Sequence, residues 1–564
     1  MRAVSHLTAH AGPDDADRTA RGGRRGRGSA LGRILRLSLR PSPRRRRVAE
    51  GPRSRLRRFL ALAAVVGSLA VALPQQAESP AIPDDTRPSP GLAFAMPPRD
   101  ELRSASRRVF AHYFPPLPIS IDNERAATDY YTRNYLAREG EGGKHAAYGG
   151  FLRDRPLPRP PRPQRNWRLL DLRTEVRQAV AAGLDGFAVD ILQFPGDPDE
   201  RVWTTTKLLM QAANDVDPDF DVMLMPDMSG SLRDKDVETV ADAVAELGAS
   251  PSAYRLADGR LVVAPFFAHA HPVSWWQEFL EVMETRHRTR VAFVPLFLDE
   301  QVHARDFASI SYGMANWGAR NPKWNDPEAT FPSSPLGRAQ KVHSLGKLWM
   351  QPVSVQDARP AAGLFDESEN TTNLRATWRI AIDSGAEWVQ LTTWNDYSES
   401  TSFAPSVHHG RAFLDISAYY LAWYKLGTPP RILRDTVYLT HRTQFVSAQP
   451  RVPQDKRMQL RGGSPARDTI EALTFLRAPA TVVITVGSRR ASCEVHGGVD
   501  TCTVPLGVGT VSARVLREGR EVATVESPFP VTATPEVQDL QYVAASSARP
   551  ARQQILAAAT VKRP

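Results

Sequence analysis

Between Arg107 and Gly427 short apolar runs alternate with amphipathic stretches. The runs Val109–Phe114, Gly186–Ile191, Asp221–Met225, Leu261–Phe266, Val291–Leu296, Ser309–Ala315, Leu348–Val353 and Trp388–Thr393 have the length and bounding residues of buried strands. Among the intervening stretches, Leu172–Ala182, Val202–Asp215, Asp234–Leu247, Trp275–Arg286 and Asn373–Ser384 carry helical spacing. Such alternation predicts an α/β fold, and eight strands in one series predict a closed (β/α)8 TIM barrel rather than an open sheet. No glycine-rich phosphate loop follows the first strand, which argues against a nucleotide-binding fold. After Thr428-Pro429-Pro430 the period changes to valine-rich alternation, as in Thr481-Val482-Val483-Ile484-Thr485-Val486, with glycine-rich turns. That pattern predicts a C-terminal β-sandwich.

Composition divides the chain further. We read 1–58 as a basic low-complexity leader, 59–73 as an apolar segment and 74–106 as a linker. The barrel then spans 107–428, the sandwich 429–543 and a flexible Ala/Arg-rich tail 544–564. A proline tract from Pro156 to Pro163 reads as a stiff surface excursion. The formal charge of +11 suggests nucleic acid, but arginine crowds the leader and the remainder is nearly balanced. No basic stripe interleaved with aromatics recurs, so no nucleic-acid partner is expected. Phe59–Leu73 follows Arg57-Arg58, precedes Pro74 and contains the small-x-small pattern Ala70-Val71-Ala72. It has the length of a signal-peptide core and falls short of the ~20 residues that span a bilayer. The expected location is secreted or on the extracellular face, with membrane association only if this segment stays uncleaved as an anchor. Cys493 and Cys502 flank a polar turn between β-like runs, which in an oxidising compartment predicts a small disulfide. Two reduced, inert thiols are the rival reading.

Chemistry in a parallel barrel belongs at the C-terminal strand ends. Those ends carry His112 and Tyr113, then Asp190, then Asp227 and Ser229, then Phe267 and His269. Later ones carry Asn316-Trp317-Gly318, Gln351 with Asp357, and Trp394-Asn395-Asp396-Tyr397-Ser398-Glu399-Ser400. Asp299-Glu300 reads as a solvated loop. Each residue alone has a bland explanation: His112 as a hydrogen-bonded core histidine, Asp190 as a helix cap. Their convergence is informative. Carboxylates three positions apart beside Trp and Tyr suit glycosidic cleavage, where acids handle protons and water while rings stack on pyranose faces. His112, Asp190, Asp227 and His269 are an alternative divalent-metal set, but His269-Ala270-His271 lacks a nearby third ligand and no His-Glu-x-x-His helix occurs. No metal or other cofactor is expected. A Ser/His/Asp hydrolase is disfavoured because no Gly-x-Ser-x-Gly elbow follows a strand.

Three segments carry a family resemblance: Val109-Phe110-Ala111-His112-Tyr113-Phe114, Gly183-Leu184-Asp185-Gly186-Phe187-Ala188-Val189 and Trp394-Asn395-Asp396-Tyr397-Ser398-Glu399-Ser400. Together they resemble glycoside hydrolase family 71, the endo-1,3-α-glucanases or mutanases, over roughly 107–542. The resemblance implies a (β/α)8 barrel with a C-terminal β-sandwich, inverting hydrolysis of α-1,3-glucan, and a catalytic pair at Asp396 and Glu399. Ser398 stands where the family usually has glycine, Asp190 where asparagine is common, and the proline tract looks like an insertion; these departures leave the exact glucan open. Inversion needs carboxyl groups ~6.5–9.5 Å apart, a span that an extended or looping segment can give. Glu399 is then expected to be the general acid, kept protonated by desolvation from Trp394 and Tyr397, with Asp396 the base. The reverse assignment, or Asp227 or Asp190 as the base, remains open. His112, Tyr113, Asp190, Asp227, His269, Asn316, Trp317, Trp394, Asn395 and Tyr397 are the expected contacts to a polysaccharide substrate. A noncatalytic carbohydrate-binding barrel and a related barrel glycosidase such as an endo-α-mannosidase are the alternative readings.

Overall fold

The computed structural model describes residues 88–197 and 199–549. The basic leader at 1–58, the apolar segment at 59–73, the linker as far as 87 and the tail from 550 lie outside the described residues. Among the described residues no helix is long and apolar enough to cross a membrane.

Nine parallel strand segments form one curled sheet. They are β1 (Arg108–Tyr113), β2 (Gly186–Ile191), β3 (Asp221–Pro226), β4 (Leu261–Val263), β5 (Val291–Phe293), β6 (Leu296–Phe297), β7 (Gly313–Asn316), β8 (Leu348–Val353) and, later in the chain, β11 (Trp388–Leu391). Their spatial order is β5-β4-β3-β2-β1-β11-β8-β7-β6. The two outer segments, β5 and β6, belong to one predicted strand, interrupted at Val294-Pro295. One half pairs with β4 and the other with β7. Side chains alternate as the pleat requires. Val109, Ala111 and Tyr113 of β1 face the surrounding helices, as do Phe187, Val189 and Ile191 of β2. Phe110, Ala188, Met223, Met225, Met350 and Trp388 fill the concave side.

The structure departs from expectation at three places. Glu300 is not in a solvated loop: it opens the helix Glu300–Phe307 and is fully buried. Its carboxylate accepts from Asn316 Nδ2 at 2.8 Å and Gln301 Nε2 at 3.1 Å, which compensates its removal from water. The described end of the predicted linker is packed, with Phe94 buried edge-on against Tyr419 at 5.4 Å and Arg99–Ser104 helical. The start of the predicted tail is strand β20 (Val543–Ser546).

The C-terminal region begins with β12 (Thr436–His441), β13 (Gln459–Leu460), β14 (Thr469–Leu476) and β15 (Ala480–Val486). It continues with β16 (Arg489–Val495), β17 (Gly498–Pro505), β18 (Val511–Arg517) and β19 (Arg520–Glu526) before β20. Two antiparallel four-stranded sheets result, β17-β14-β12-β20 and β16-β15-β18-β19, which share an apolar cluster including Val437, Ile470, Val482, Ile484 and Val515. Cys493 on β16 and Cys502 on β17 are disulfide-bonded and tie one sheet to the other. Closing so short a loop contributes about 2.7 kcal/mol in the chain-entropy picture.

A third, small sheet joins this region to the barrel sheet. Two short strands after β8, namely β9 (Ala358–Arg359) and β10 (Leu364–Phe365), pair with each other, and β10 pairs in parallel with β13. Buried polar groups reinforce the joint. Arg442 donates to Glu367 at 3.0 Å and to the Arg467 carbonyl at 2.6 Å, while Tyr542 Oη donates to the same Glu367 at 2.7 Å. Arg442→Ala strands a buried carboxylate, so equilibrium denaturation should read a loss of about 3–5 kcal/mol. A loss below about 1 kcal/mol would show that this joint is dispensable.

Candidate active site

Strand parity decides which sequence-expected residues meet. His112 and Asp190 occupy the concave parity of β1 and β2, shared with Phe110 and Ala188, so both lie on the concave side of the sheet at its C-terminal rim. His112 Nε2 lies 3.6 Å from Asp190 Oδ2, and Gln390 Nε2 of β11 donates to His112 Nδ1 at 3.3 Å. An amide NH2 can only donate, so the imidazole proton sits on Nε2, facing Asp190. Burial pushes His112 down to about 4, against the pull of Asp227 and Asp396, and keeps the ring neutral. Burial raises Asp190 well above the usual carboxylate range, and the negative Asp396 adds to it. Asp227, which accepts from Ser229 N at 2.7 Å, is pushed up to about 7 by burial and then by Asp190. Trp317 meets His112 edge-on at 4.9 Å and Phe266 at 5.0 Å, and stays half-buried at the rim.

Asp396 and Glu399 come from a tight turn after β11. Asp396 Oδ1 accepts three donors: Ser398 N at 2.8 Å, Ser398 Oγ at 2.6 Å and Glu399 N at 3.2 Å. These bonds fold the turn back on its own first carboxylate, as Asp does in local caps. Burial raises the Asp396 carboxyl, and the donors together with Arg359 oppose that shift. Glu399 accepts from Arg359 Nη1 at 2.5 Å. That guanidinium also holds Asp357 with two bonds, Nε to Oδ1 at 2.7 Å and Nη2 to Oδ2 at 2.6 Å. Asp357 is accordingly held down at about 2 despite its burial. Glu399 goes the other way. Burial, with the negative Asp396 and Asp357, outweighs Arg359 and lifts it to about 8. Its neighbour Arg320, from the loop after β7, is fully buried; its Nη1 donates to the Trp317 and Gly318 carbonyls at 2.7 and 2.6 Å.

Several buried polar atoms around this rim have no hydrogen-bond partner among the described residues. They are Asp190 Oδ1, Asn316 Oδ1, Gln390 Oε1, and Arg320 Nε and Nη2. Unpaired buried groups of this kind are rare in folded proteins, and their clustering at one rim singles it out as a functional candidate.

Other expected contacts point elsewhere. Tyr113 has the opposite parity to His112, and its Oη donates to Glu175 at 3.2 Å within the helix layer. Trp394 is fully buried there too, its Nε1 donating to Glu175 at 2.9 Å. Tyr397 packs with Tyr131 and Tyr135. Asn395 pins the loop after β1: its Oδ1 accepts from Phe114 N at 2.7 Å and its Nδ2 donates to Phe114 and Leu117 carbonyls. These four residues build the turn's foundation, so desolvation of Glu399 by Trp394 and Tyr397 is not the arrangement found. His269 stacks on His303 at 4.4 Å and meets Phe267 in a tilted contact at 4.2 Å, beyond the β4 end. Asn316 is committed to Glu300 through Nδ2. No group of three or more His, Cys, Asp or Glu that could hold a metal ion occurs among the described residues. The sequence reading passed over Arg320, Arg359 and Glu175. Glu175 stood on a predicted helix, where a lone carboxylate reads as solvent-facing.

Burial, opposed by hydrogen bonds from Trp394, Ile119 and Tyr113, lifts Glu175 to about 8. The folded protein thus holds this proton more tightly than the unfolded chain. The resulting stabilisation is complete below the ordinary carboxylate pKa and is lost as pH rises through about 8. Melting temperature followed between about pH 5 and 9 should show a smaller alkaline decline in Glu175→Gln than in the native protein. Parallel curves would contradict a protonated Glu175.

Comparison with known proteins places this site in context. The family model for glycosyl hydrolase family 71 matches residues 163–553. The chain is 23% identical over 378 residues to a glucan endo-1,3-alpha-glucosidase of Schizosaccharomyces pombe, covering 63% of this chain and 85% of that protein. It is 23% identical over 377 residues to a mutanase of Penicillium rubens, covering 64% and 80%. Among solved structures, a family 99 endo-alpha-mannosidase from Bacteroides thetaiotaomicron aligns with a TM-score of 0.38 at 17% identity, covering 45% of this chain and 84% of that one. The match to the family model extends over more than half of the chain, and the protein belongs to glycosyl hydrolase family 71.

Proposed function

We propose that this chain is an exported, endo-acting α-1,3-glucanase that works with inversion on a closed (β/α)8 barrel carrying a C-terminal β-sandwich. The observation that supports the reading best is the pairing of Asp396 and Glu399 on one buried turn, with Glu399 raised to about 8, beside a rim of unpartnered polar atoms. Names of the family relatives supply the polymer, α-1,3-linked glucan. Export is supported by the apolar segment behind Arg57-Arg58 and by the Cys493–Cys502 disulfide.

In this reading Glu399 starts protonated and gives its proton to the glycosidic oxygen as the bond to the anomeric carbon breaks. A water attacks that carbon from the opposite face and yields its proton to Asp396. All three donors to Asp396 fall on Oδ1, so Oδ2 takes the water proton. Asp190, Arg320 and Gln390 meet sugar hydroxyls through their free atoms, and Trp317 offers a ring face to a pyranose. Neutral His112 and raised Asp190 limit the negative charge near an attacking water.

Reducing-end release from insoluble α-1,3-glucan tests this. Asp396→Asn and Glu399→Gln should each lower kcat by about 10²–10⁴-fold with unchanged circular dichroism. Only Glu399→Gln should recover activity on a substrate whose leaving group needs no proton. Because the acid must hold its proton, kcat/KM of the native enzyme should fall as pH rises through about 8. NMR of fresh hydrolysate should show the β-anomer at the new reducing end. Near-native activity in either variant would remove that residue from the mechanism. Binding to glucan without any sugar release would leave a carbohydrate-binding barrel, and release from α-mannan alone would change the substrate.

A further inference from the structure

Arg461 lies in the C-terminal region, directly after β13, far along the chain from the barrel strands. Its Nε donates to Asp366 Oδ1 at 2.9 Å, a second bond runs from Nη2 to Asp366 Oδ2, and Nη2 also reaches Asp357 Oδ2 at 3.2 Å. Asp357 is the carboxylate that holds Arg359, and Arg359 holds Glu399. Four groups link the C-terminal region to the turn after β11, alternating guanidinium and carboxyl: Arg461, Asp357, Arg359, Glu399. The backbone runs in parallel with them. Arg461 N donates to the Phe365 carbonyl at 2.9 Å, β10 pairs with β9, and Ala358 N donates to the Glu399 carbonyl at 2.9 Å. Ser400 Oγ closes the joint on the Ala358 carbonyl at 2.9 Å.

From this double connection we infer that Arg461 is a positioning residue for hydrolysis, so that the C-terminal region completes the catalytic site instead of merely being attached to the barrel. The inference rests on the reading of Glu399 as the acid. A guanidinium has a fixed fork of donors. Arg461 spends one edge on Asp366 and part of it on Asp357, which fixes where Asp357 stands. Asp357 in turn accepts two bonds from Arg359, leaving only Nη1 of that fork for Glu399. If Asp357 moves, Arg359 turns with it, and the carboxyl of Glu399 loses its orientation. A lysine in place of Arg461 keeps the charge but lacks the planar fork that fixes both aspartates in one orientation. The charged groups facing Glu399 are Arg359, Asp396, Asp357 and Arg320; those facing Arg461 are Asp357, Asp366, Arg359 and Arg320.

The full chain serves for the test. Arg461→Gln should lower kcat on α-1,3-glucan about ten-fold with KM little changed, as displacement of a remote support does. It should also move the alkaline limb of kcat/KM to higher pH, since one positive charge leaves the chain of groups that favours ionised Glu399. Arg461→Lys should restore the limb but not kcat. An unchanged kcat and limb, or a change in KM alone, overturns the proposal. A second readout does not need turnover. Arg461→Gln should shift the alkaline decline of the melting temperature, near pH 8 where Glu399 titrates, in the native background and leave that decline in place in a Glu399→Gln background. An equal alteration in both would make Arg461 purely structural and end the proposal. If the native enzyme releases no sugar while this second readout behaves as expected, the hydrolase reading fails and the coupling stands.

Discussion

One guanidinium serves two buried carboxylates here, and the rest of the site is arranged around that shortage. Arg359 gives two bonds to Asp357 and one to Glu399. Asp357 takes most of the positive charge and stays ionised at any physiological pH. Glu399, with the smaller share and the negative Asp396 behind it, keeps its proton. The two acids thus acquire opposite states around one cation, burial raising Glu399 while Arg359 holds Asp357 down. Separating proton affinities between neighbouring carboxyls in this way is how a site can hold an acid and a base together at neutral pH.

The remaining acids follow the same logic on the other side of the rim. Asp190 and Asp227 are buried beside a neutral imidazole, with no cation bonded to either, and both rise. Arg320, buried against the Trp317 ring at 5.1 Å, stands between the two groups with donors still free. A hydroxyl-rich ligand can satisfy these atoms without bringing in a charge. The surroundings hold the turn in place: Glu175 accepts from Trp394, Asn395 bonds the loop after β1 and Tyr397 packs with Tyr131 and Tyr135.

Much of the fold was legible in the sequence because strands buried on both faces leave continuous apolar runs. Gly186–Ile191 and Leu348–Val353 were bounded by turn residues and coincide with β2 and β8. The break at Val294-Pro295 was not foreseen, since a proline inside an apolar run leaves periodicity intact while removing a donor. That Asp396 and Glu399 share one turn was legible as local spacing. Misplacement of Tyr113 and Trp394 has one cause. Aromatic character was read as sugar contact, whereas the period of two in β1 already put Tyr113 on the face of Val109 and Ala111, opposite His112. Arg359, Arg320 and Arg461 were not legible. Glu399 lies 40 residues from Arg359 and Asp357 lies 104 from Arg461, so no local pattern reports those contacts; the short-range bonds of Arg359 to Asp357 and of Arg320 to the Trp317 and Gly318 carbonyls do not by themselves reveal that either guanidinium is buried.

The most direct measurement is a crystal structure of the Glu399→Gln variant with an α-1,3-linked glucose oligosaccharide. The account predicts a glycosidic oxygen within hydrogen-bond reach, about 2.6–3.2 Å, of the side chain at position 399, with hydroxyls on Asp190 and Arg320. An oligosaccharide bound with its glycosidic oxygen at Asp190 or Asp227, or bound outside this rim altogether, would contradict it.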